Sequence, residues 1–167
     1  MDATPAERAE LWQLLFITTT AVLNTVEAEL KAAEELTLLD IGCLFALAAA
    51  GDGGRSMGAL AELFAVDPSV ITYRIKRLEG RGVVVRQPRP DNRRIVHAYL
   101  TPAGREHLRR ARGVLLTSTD RHFFAHLGTG STDALRTSFT ALHTAQQAGR
   151  AISSPPTQPE PPGCAPG

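Results

Sequence analysis

MGALAELFAVDPSVITYRIKRLEGRGVVVRQPRPDNRRIVHAYLT, residues 57–101, carries the pattern of a helix, a short turn, a second helix and a basic strand–turn–strand. Ser56 offers a cap for a short helix over Met57 to Phe64, with Leu60 and Phe64 facing inward. Asp67-Pro68 is a start signal: Asp caps a helix N-terminus, and proline fits the first helical position, where its missing N–H is not needed. The helix that follows, Pro68 to about Glu79, places Ile71, Ile75 and Leu78 at i, i+4 and i+7 for burial, and Gly80 and Gly82 end it. That spacing points Ser69, Thr72, Tyr73, Lys76 and Arg77 away from the core. Val83 to Arg86 is a β-branched run and Ile95 to Leu100 alternates, while the prolines and Asp91-Asn92 between them favour a turn. Two helices joined by Ala65-Val66-Asp67 and followed by a hairpin predict a winged helix-turn-helix.

Outward from this module the chain reads as helix on both sides. Pro5 to about Glu34 places Leu11, Leu15, Val22, Val26 and Leu30 on one face, widened by Trp12, Phe16 and Leu23. So wide a stripe on a helix of this length predicts contact with a second subunit. Thr37 caps a second helix, Leu38 to Ala50, with Asp40 in its first turn, and Gly51-Asp52-Gly53-Gly54 ends it. Thr101-Pro102 opens a fifth helix to about Leu127, and Ser131 or Thr132 opens a sixth to about Gly149. The fold class expected is mainly α with a small β-hairpin wing. Residues 5–34 and 102–149 would form a helical dimerisation region, 35–101 the winged helix-turn-helix, and 150–167 a disordered Pro-rich tail.

The charge pattern suggests a partner for the module. From Arg55 to Arg112 there are 13 Lys/Arg against 5 Asp/Glu, a balance of +8, whereas the whole chain carries only +1. A positive field concentrated on one module is the footprint of a polyanion binder, most often a nucleic acid. No apolar run reaches bilayer length and the N-terminus lacks a secretory signal pattern, so a cytoplasmic protein without a membrane role is expected. Two cysteines, Cys43 and Cys164, build no disulfide framework.

In a helix-turn-helix the second helix enters the major groove. Ser69, Thr72 and Tyr73 bring hydroxyls suited to base edges or phosphates, with Val70 beside them, and Arg74, Lys76 and Arg77 are candidates for the backbone. An Arg at a hairpin tip suits the narrow, electronegative minor groove, which nominates Arg89, Arg93 and Arg94. Leu36-Thr37-Leu38-Leu39, Leu60-Ala61, Val70-Ile71-Thr72, Arg77-Leu78-Glu79-Gly80-Arg81-Gly82-Val83-Val84 and Leu100-Thr101-Pro102-Ala103-Gly104-Arg105 resemble the MarR family of bacterial winged-helix regulators, over residues 8 to 148. The resemblance implies a homodimer built from the first, fifth and sixth helices that binds a pseudo-palindromic double-stranded DNA operator and usually releases it on meeting a small-molecule effector. A ligand-responsive repressor is the expected function. The family's Asp-x-Arg wing motif aligns with Asn92-Arg93-Arg94, counted either from Gly82 or back from Thr101. Asp91 falls one position early. This register makes Arg94 the minor-groove residue and Asn92, or Asp91 by a bent turn, its orienting partner.

Other features have both a functional and a plain reading. Trp12, Phe16, Thr19 and Thr20 with Cys43 and Leu47 could line an effector pocket, or be core. Cys43 could be a redox switch or a small buried hydrophobe. His122 and His126 have the i, i+4 spacing two metal ligands can use, but no Cys or carboxylate cluster accompanies them, so no metal is expected. No phosphate-cradling loop or catalytic set is legible, so neither a cofactor nor an enzyme is expected. The alternatives to a ligand-responsive regulator are a winged-helix protein-interaction module without DNA binding and a redox-sensing regulator acting through Cys43.

Overall fold

Thr4 opens the first helix, α1 (Pro5–Glu34), by a reciprocal cap: its hydroxyl accepts from the Glu7 N–H while the Glu7 carboxylate accepts from the Thr4 N–H. The structure, a computed structural model, describes residues 4–88 and 95–153. α1 ends at Glu35, which takes a left-handed conformation. Two residues later the same capping device recurs. Thr37 and Asp40 start α2 (Leu38–Ala50), as their spacing predicts.

Beyond a 3-10 turn at Gly51–Gly53, a two-residue strand, β1 (Arg55–Ser56), leads into α3 (Met57–Phe64). α3 leaves through Ala65 at φ 58, and the Val66 N–H closes on the Ala61 carbonyl. α4 (Pro68–Gly80) starts on Asp67. It ends in a Schellman turn: the Gly82 N–H reaches Glu79, the Val83 N–H reaches Leu78, and Gly82 supplies the required positive φ of 70. The chain then enters β2 (Val84–Pro88), paired antiparallel with β3 (Val96–Leu100) from Val84↔Leu100 to Pro88↔Val96. β1 adds to the other side of β3, giving the order β1-β3-β2. Pro88 lies in an edge strand, where its lack of an N–H is tolerated.

One core unites these elements. Leu30 of α1, Leu44 and Leu47 of α2, Leu60 of α3, Ile71, Ile75 and Leu78 of α4, Val84 and Ala98 of the sheet and Ala111 of the helix that follows are all buried. That helix, α5 (Pro102–His122), begins on Thr101, whose hydroxyl donates to the Gly82 carbonyl at 2.7 Å and accepts from the Gly104 N–H. α5 is tied back to α1 by an ion pair of Glu34 with Arg110 and by the approach of His107 Nε2 to Glu34 at 3.1 Å and of His122 Nε2 to Glu29 at 2.8 Å.

The structure corrects several predictions. The sheet has a third strand, β1, too short for a periodicity to register. α5 stops at His122 instead of about Leu127; Phe123 leaves helical geometry and Phe124–His126 form a 3-10 turn. Thr117 to Asp120 are weak helix formers, and the Thr119 hydroxyl bonds back to the Leu115 and Leu116 carbonyls, so the helix is poorly supported at that end. His122 and His126 therefore do not share an α-helical face. Apart from these corrections, the apolar stripe on α1 is buried within the chain at Val26 and Leu30, while Leu11, Trp12, Leu15 and Phe16 are exposed.

The described residues fall into two compact units divided after Ala125. The second contains α6 (Ser131–Ser153), on which Phe139 and Leu142 are exposed. No single described helix is long and apolar enough to cross a membrane. The predicted tail lies largely outside the described residues.

Candidate nucleic-acid interface

α4 presents its outer face because its inner one is spent on the core. With Ile71, Ile75 and Leu78 fully buried, Ser69, Tyr73 and Lys76 recur at i, i+4 and i+7 on the opposite side and are exposed. Val70 and Thr72 form the two edges of this face, and Tyr73 retains 66% of its surface. The cap conditions the hydroxyls near the N-terminus. Asp67 accepts the Ser69 N–H at 2.8 Å, and its carboxyl is held below the usual aspartate range by the Ser69 side chain and N–H. Thr72 donates its hydroxyl proton to the Pro68 carbonyl at 2.8 Å. Among the described residues, the unengaged donors on this face are the Tyr73 hydroxyl and the Lys76 ammonium.

Arg74 and Arg77, predicted to hold phosphates, have a different place. Both turn toward α2. The Arg77 guanidinium binds the carboxylate of Asp40, which is fully buried; Arg74 lies 3.2 Å from the Thr37 hydroxyl and 3.6 Å from the same carboxylate. Asp40 also accepts the Thr37 N–H and hydroxyl, each at 2.7 Å. Arg81, at the end of α4, donates to the Glu34 and Glu35 carbonyls at 3.2 and 3.0 Å. Three arginines at i, i+3 and i+7 thus fasten α4 to the elbow between α1 and α2. The reason is electrostatic: a buried carboxylate needs a compensating charge, and the nearest cations come from α4; both approach Oδ2, while the buried Oδ1 has no hydrogen-bond partner among the described residues. Sequence reasoning assigned Asp40 a cap and missed this second role, since its partners are 34 and 37 residues away in the chain.

The charge count changes accordingly. Asp40, Glu34 and Glu35 lie outside residues 55–112 yet pair with Arg77, Arg110 and Arg81 inside it. Counting them lowers the local balance from +8 to +5. Arg86 pairs with Glu79 at 2.7 Å, Arg109 with Glu106 at 2.7 Å, and Arg55 donates to the Ala46 carbonyl at 3.1 Å. Among the described basic residues of the segment, Lys76 and Arg112 are the ones without a partner. The wing candidates Arg89, Asn92, Arg93 and Arg94 lie outside the described residues, as does Asp91.

The six residues predicted for an effector pocket divide into two sets. Trp12, Phe16, Thr19 and Thr20 stand exposed on α1, Trp12 at 69%, whereas Cys43 and Leu47 are sealed in the core of α2. They line no common surface within one chain. Burial also decides between the two readings of Cys43. Desolvation, reinforced by the Asp40 charge and only partly offset by Arg74, pushes the thiol up to about 12, so the thiolate that oxidants and alkylating agents attack is absent at neutral pH. In a Cys164→Ser background, Cys43 should resist a thiol reagent at pH 8 until denaturant is added, and peroxide should leave DNA affinity unchanged. The alkaline limb carries the same signature. The contribution of the protonated thiol to stability is intact below about pH 9 and is lost as pH rises toward about 12, a slope that Cys43→Ala should remove.

His122 has a partner that its spacing from His126 did not suggest: its Nε2 lies 2.8 Å from Glu29, whose carboxyl is held below the usual range chiefly by that bond. The pair fastens α5 to α1. Among the described residues no group of three His, Cys, Asp or Glu is arranged to hold a metal ion.

Two helices joined by a tight turn, with an antiparallel hairpin after the second and helices packed around them, define the class of winged helix-turn-helix proteins. Residues 35–95 match the MarR family profile, a family of winged-helix transcriptional regulators. A MarR family transcriptional regulator from Streptomyces coelicolor, solved in complex with DNA, is similar in structure with a TM-score of 0.78 and 22% identity, covering 88% of this chain and 91% of that one. The transcriptional regulator BldR from Sulfolobus solfataricus matches at 0.73 and 25% identity over 86% and 99% of the two chains. CouR from Rhodococcus jostii, solved bound to p-coumaroyl-CoA, matches at 0.67 and 25% identity over 77% and 88%. Comparison with curated protein sequences finds no match.

Proposed function

We propose that the chain is a homodimeric, sequence-specific regulator of transcription that sets the outer face of α4 in the major groove of an operator, with the wing arginines as its minor-groove element. The observation that carries this is the face itself: five adjacent exposed residues, Ser69, Val70, Thr72, Tyr73 and Lys76, on a helix whose other side is rigidly packed. A side chain that must meet base edges needs such a fixed platform.

Dimerisation is supported by α1. Leu11, Trp12, Leu14, Leu15, Phe16 and Ile17 are all exposed, six large apolar side chains within two turns of one helix. On α6, Phe139 and Leu142 at i, i+3 add a second exposed apolar edge. Each is a surface a second copy could cover, and on this reading residues 5–34 and 102–149 are the dimerisation region and 35–101 the DNA-binding region. Control by a small molecule is supported by the ligand-bound relative, and relief of repression is the form of control proposed; the exposed Trp12, Phe16, Thr19 and Thr20 would then contact effector only where a second subunit completes the site. A cytoplasmic location follows from the same role.

Selection from random duplexes tests the proposal. The protein should retain an inverted repeat with half-sites about 10 base pairs apart, the separation two symmetry-related α4 helices can reach on one face of B-DNA. Recovery of no preferred duplex, or of single half-sites bound by a monomer, would contradict it.

A further inference from the structure

α4 holds six candidate donors for base edges or phosphates: the hydroxyls of Ser69, Thr72 and Tyr73, the guanidinium groups of Arg74 and Arg77, and the Lys76 ammonium. The structure commits both guanidinium groups and the Thr72 hydroxyl elsewhere. Arg74 and Arg77, the residues with the planar fork that reads guanine O6 and N7 bidentately, are turned to Asp40 and Thr37. The Thr72 proton is given to Pro68, and the Ser69 side chain lies beside the capping Asp67 carboxylate. No Asn or Gln, the side chains that read adenine bidentately, occurs between Pro68 and Gly80. What remains exposed on the two leading turns is the Val70 methyls, the Thr72 γ-methyl, the Tyr73 ring, and hydroxyls that can make single hydrogen bonds, the Tyr73 hydroxyl as a donor among them, but no forked donor. Lys76, in the third turn, stands away from the N-terminal residues that approach base edges in this motif and is suited to a phosphate.

We infer that α4 reads its half-site through thymine 5-methyl groups, at the positions beneath Val70 and Thr72, and not through bidentate hydrogen bonds to guanine. The inference rests on the proposed DNA-binding role of α4 and assigns the chemistry of what it recognises. The thymine methyl is the one apolar group in the major groove, so a face with methyls and without forked donors discriminates chiefly by desolvating it. The Thr72 oxygen, an acceptor because its proton is engaged, adds a preference for an adenine N6 or cytosine N4 donor alongside.

The test uses the full chain and the duplex it selects. Each thymine of the half-site is replaced in turn by deoxyuridine, which removes only the methyl, and each guanine by 7-deazaguanine, which removes only the N7 acceptor. Deoxyuridine at one or two positions per half-site should weaken binding about three- to five-fold, and Val70→Ala or Thr72→Ser should abolish the thymine/uridine difference at one of them. The guanine replacements should change affinity less than two-fold. Affinity indifferent to every uridine, or a loss confined to 7-deazaguanine, would overturn the methyl readout while leaving DNA binding standing. A protein that selects no duplex at all would instead remove the DNA-binding role, and the readout with it.

Discussion

Asp40→Ala should cost the protein about 3 kcal/mol or more of folding stability, read as a lower denaturation midpoint. Several effects add. The capping box of α2 loses its reciprocal carboxylate, worth about 1 kcal/mol, and Arg77 and Arg74 lose the charge that holds them against the core. Both arginines are partly exposed and regain some hydration, which keeps the loss near the lower end of the range for a broken buried pair. The diagnostic result lies in the double variant. Asp40→Ala with Arg77→Met should recover part of the loss, because it replaces an unpaired cation by a packed apolar side chain; additive losses would mean that the two residues do not act as a pair. Arg77→Ala supplies the functional counterpart. A phosphate contact at Arg77 would make this variant lower the salt dependence of DNA binding, whereas an α2–α4 fastener makes it lower stability and affinity while leaving the salt slope unchanged.

Gly104→Ala should be comparably damaging for an unrelated reason. A Cβ built at Gly104 falls 2.0 Å from the Val83 carbonyl oxygen and 2.9 Å from Leu100 Cδ1. The first turn of α5 crosses the start of β2 so closely that only a hydrogen fits, and the approach is enforced from both sides: Thr101 donates its N–H and its hydroxyl to Val83 and its hydroxyl to Gly82. Admitting a methyl requires α5 to move off the sheet. The expected cost is about 3 kcal/mol, the upper end for overpacking, because backbone rather than a flexible side chain must give way. Gly58→Ala, in α3 with nothing within 4 Å, is the matched control and should be neutral or slightly stabilising. Equal stability of the two variants would show that the α5–β2 crossing is looser than described.

These two residues mark where the sequence was legible and where it was not. Local signals read well. Thr37 with Asp40, Ser56, Asp67 with Pro68, and Thr101 with Pro102 are caps, and each sits at the helix start its spacing implied. The i, i+4, i+7 burial of Ile71, Ile75 and Leu78 and the β2–β3 pairing follow from periodicity alone. Gly104 was visible as part of a family motif, but the carbonyl that demands it comes from Val83, 21 residues earlier. Electrostatic partners were the poorest inference. A count along the chain treated Arg74, Arg77 and Arg81 as a surface charge, whereas folding brings Asp40 and the Glu34 and Glu35 carbonyls to them. The effector grouping failed within one chain because helical spacing locates a residue on a face without saying whether that face is sealed, as at Cys43 and Leu47, or open, as at Trp12 and Phe16.

The central claim is that the outer face of α4, carried on two copies of the chain, lies against a duplex. The most direct measurement is the affinity of the full chain for its selected operator as salt is raised from about 50 to 200 mM, beside a scrambled duplex of equal length. The account predicts a straight fall of log K with log salt, steeper by roughly 0.9 for every phosphate neutralised, tighter binding to the operator throughout, and a slope reduced by about one phosphate per subunit in Lys76→Ala. A salt-independent affinity, or identical binding to operator and scrambled DNA, would contradict it.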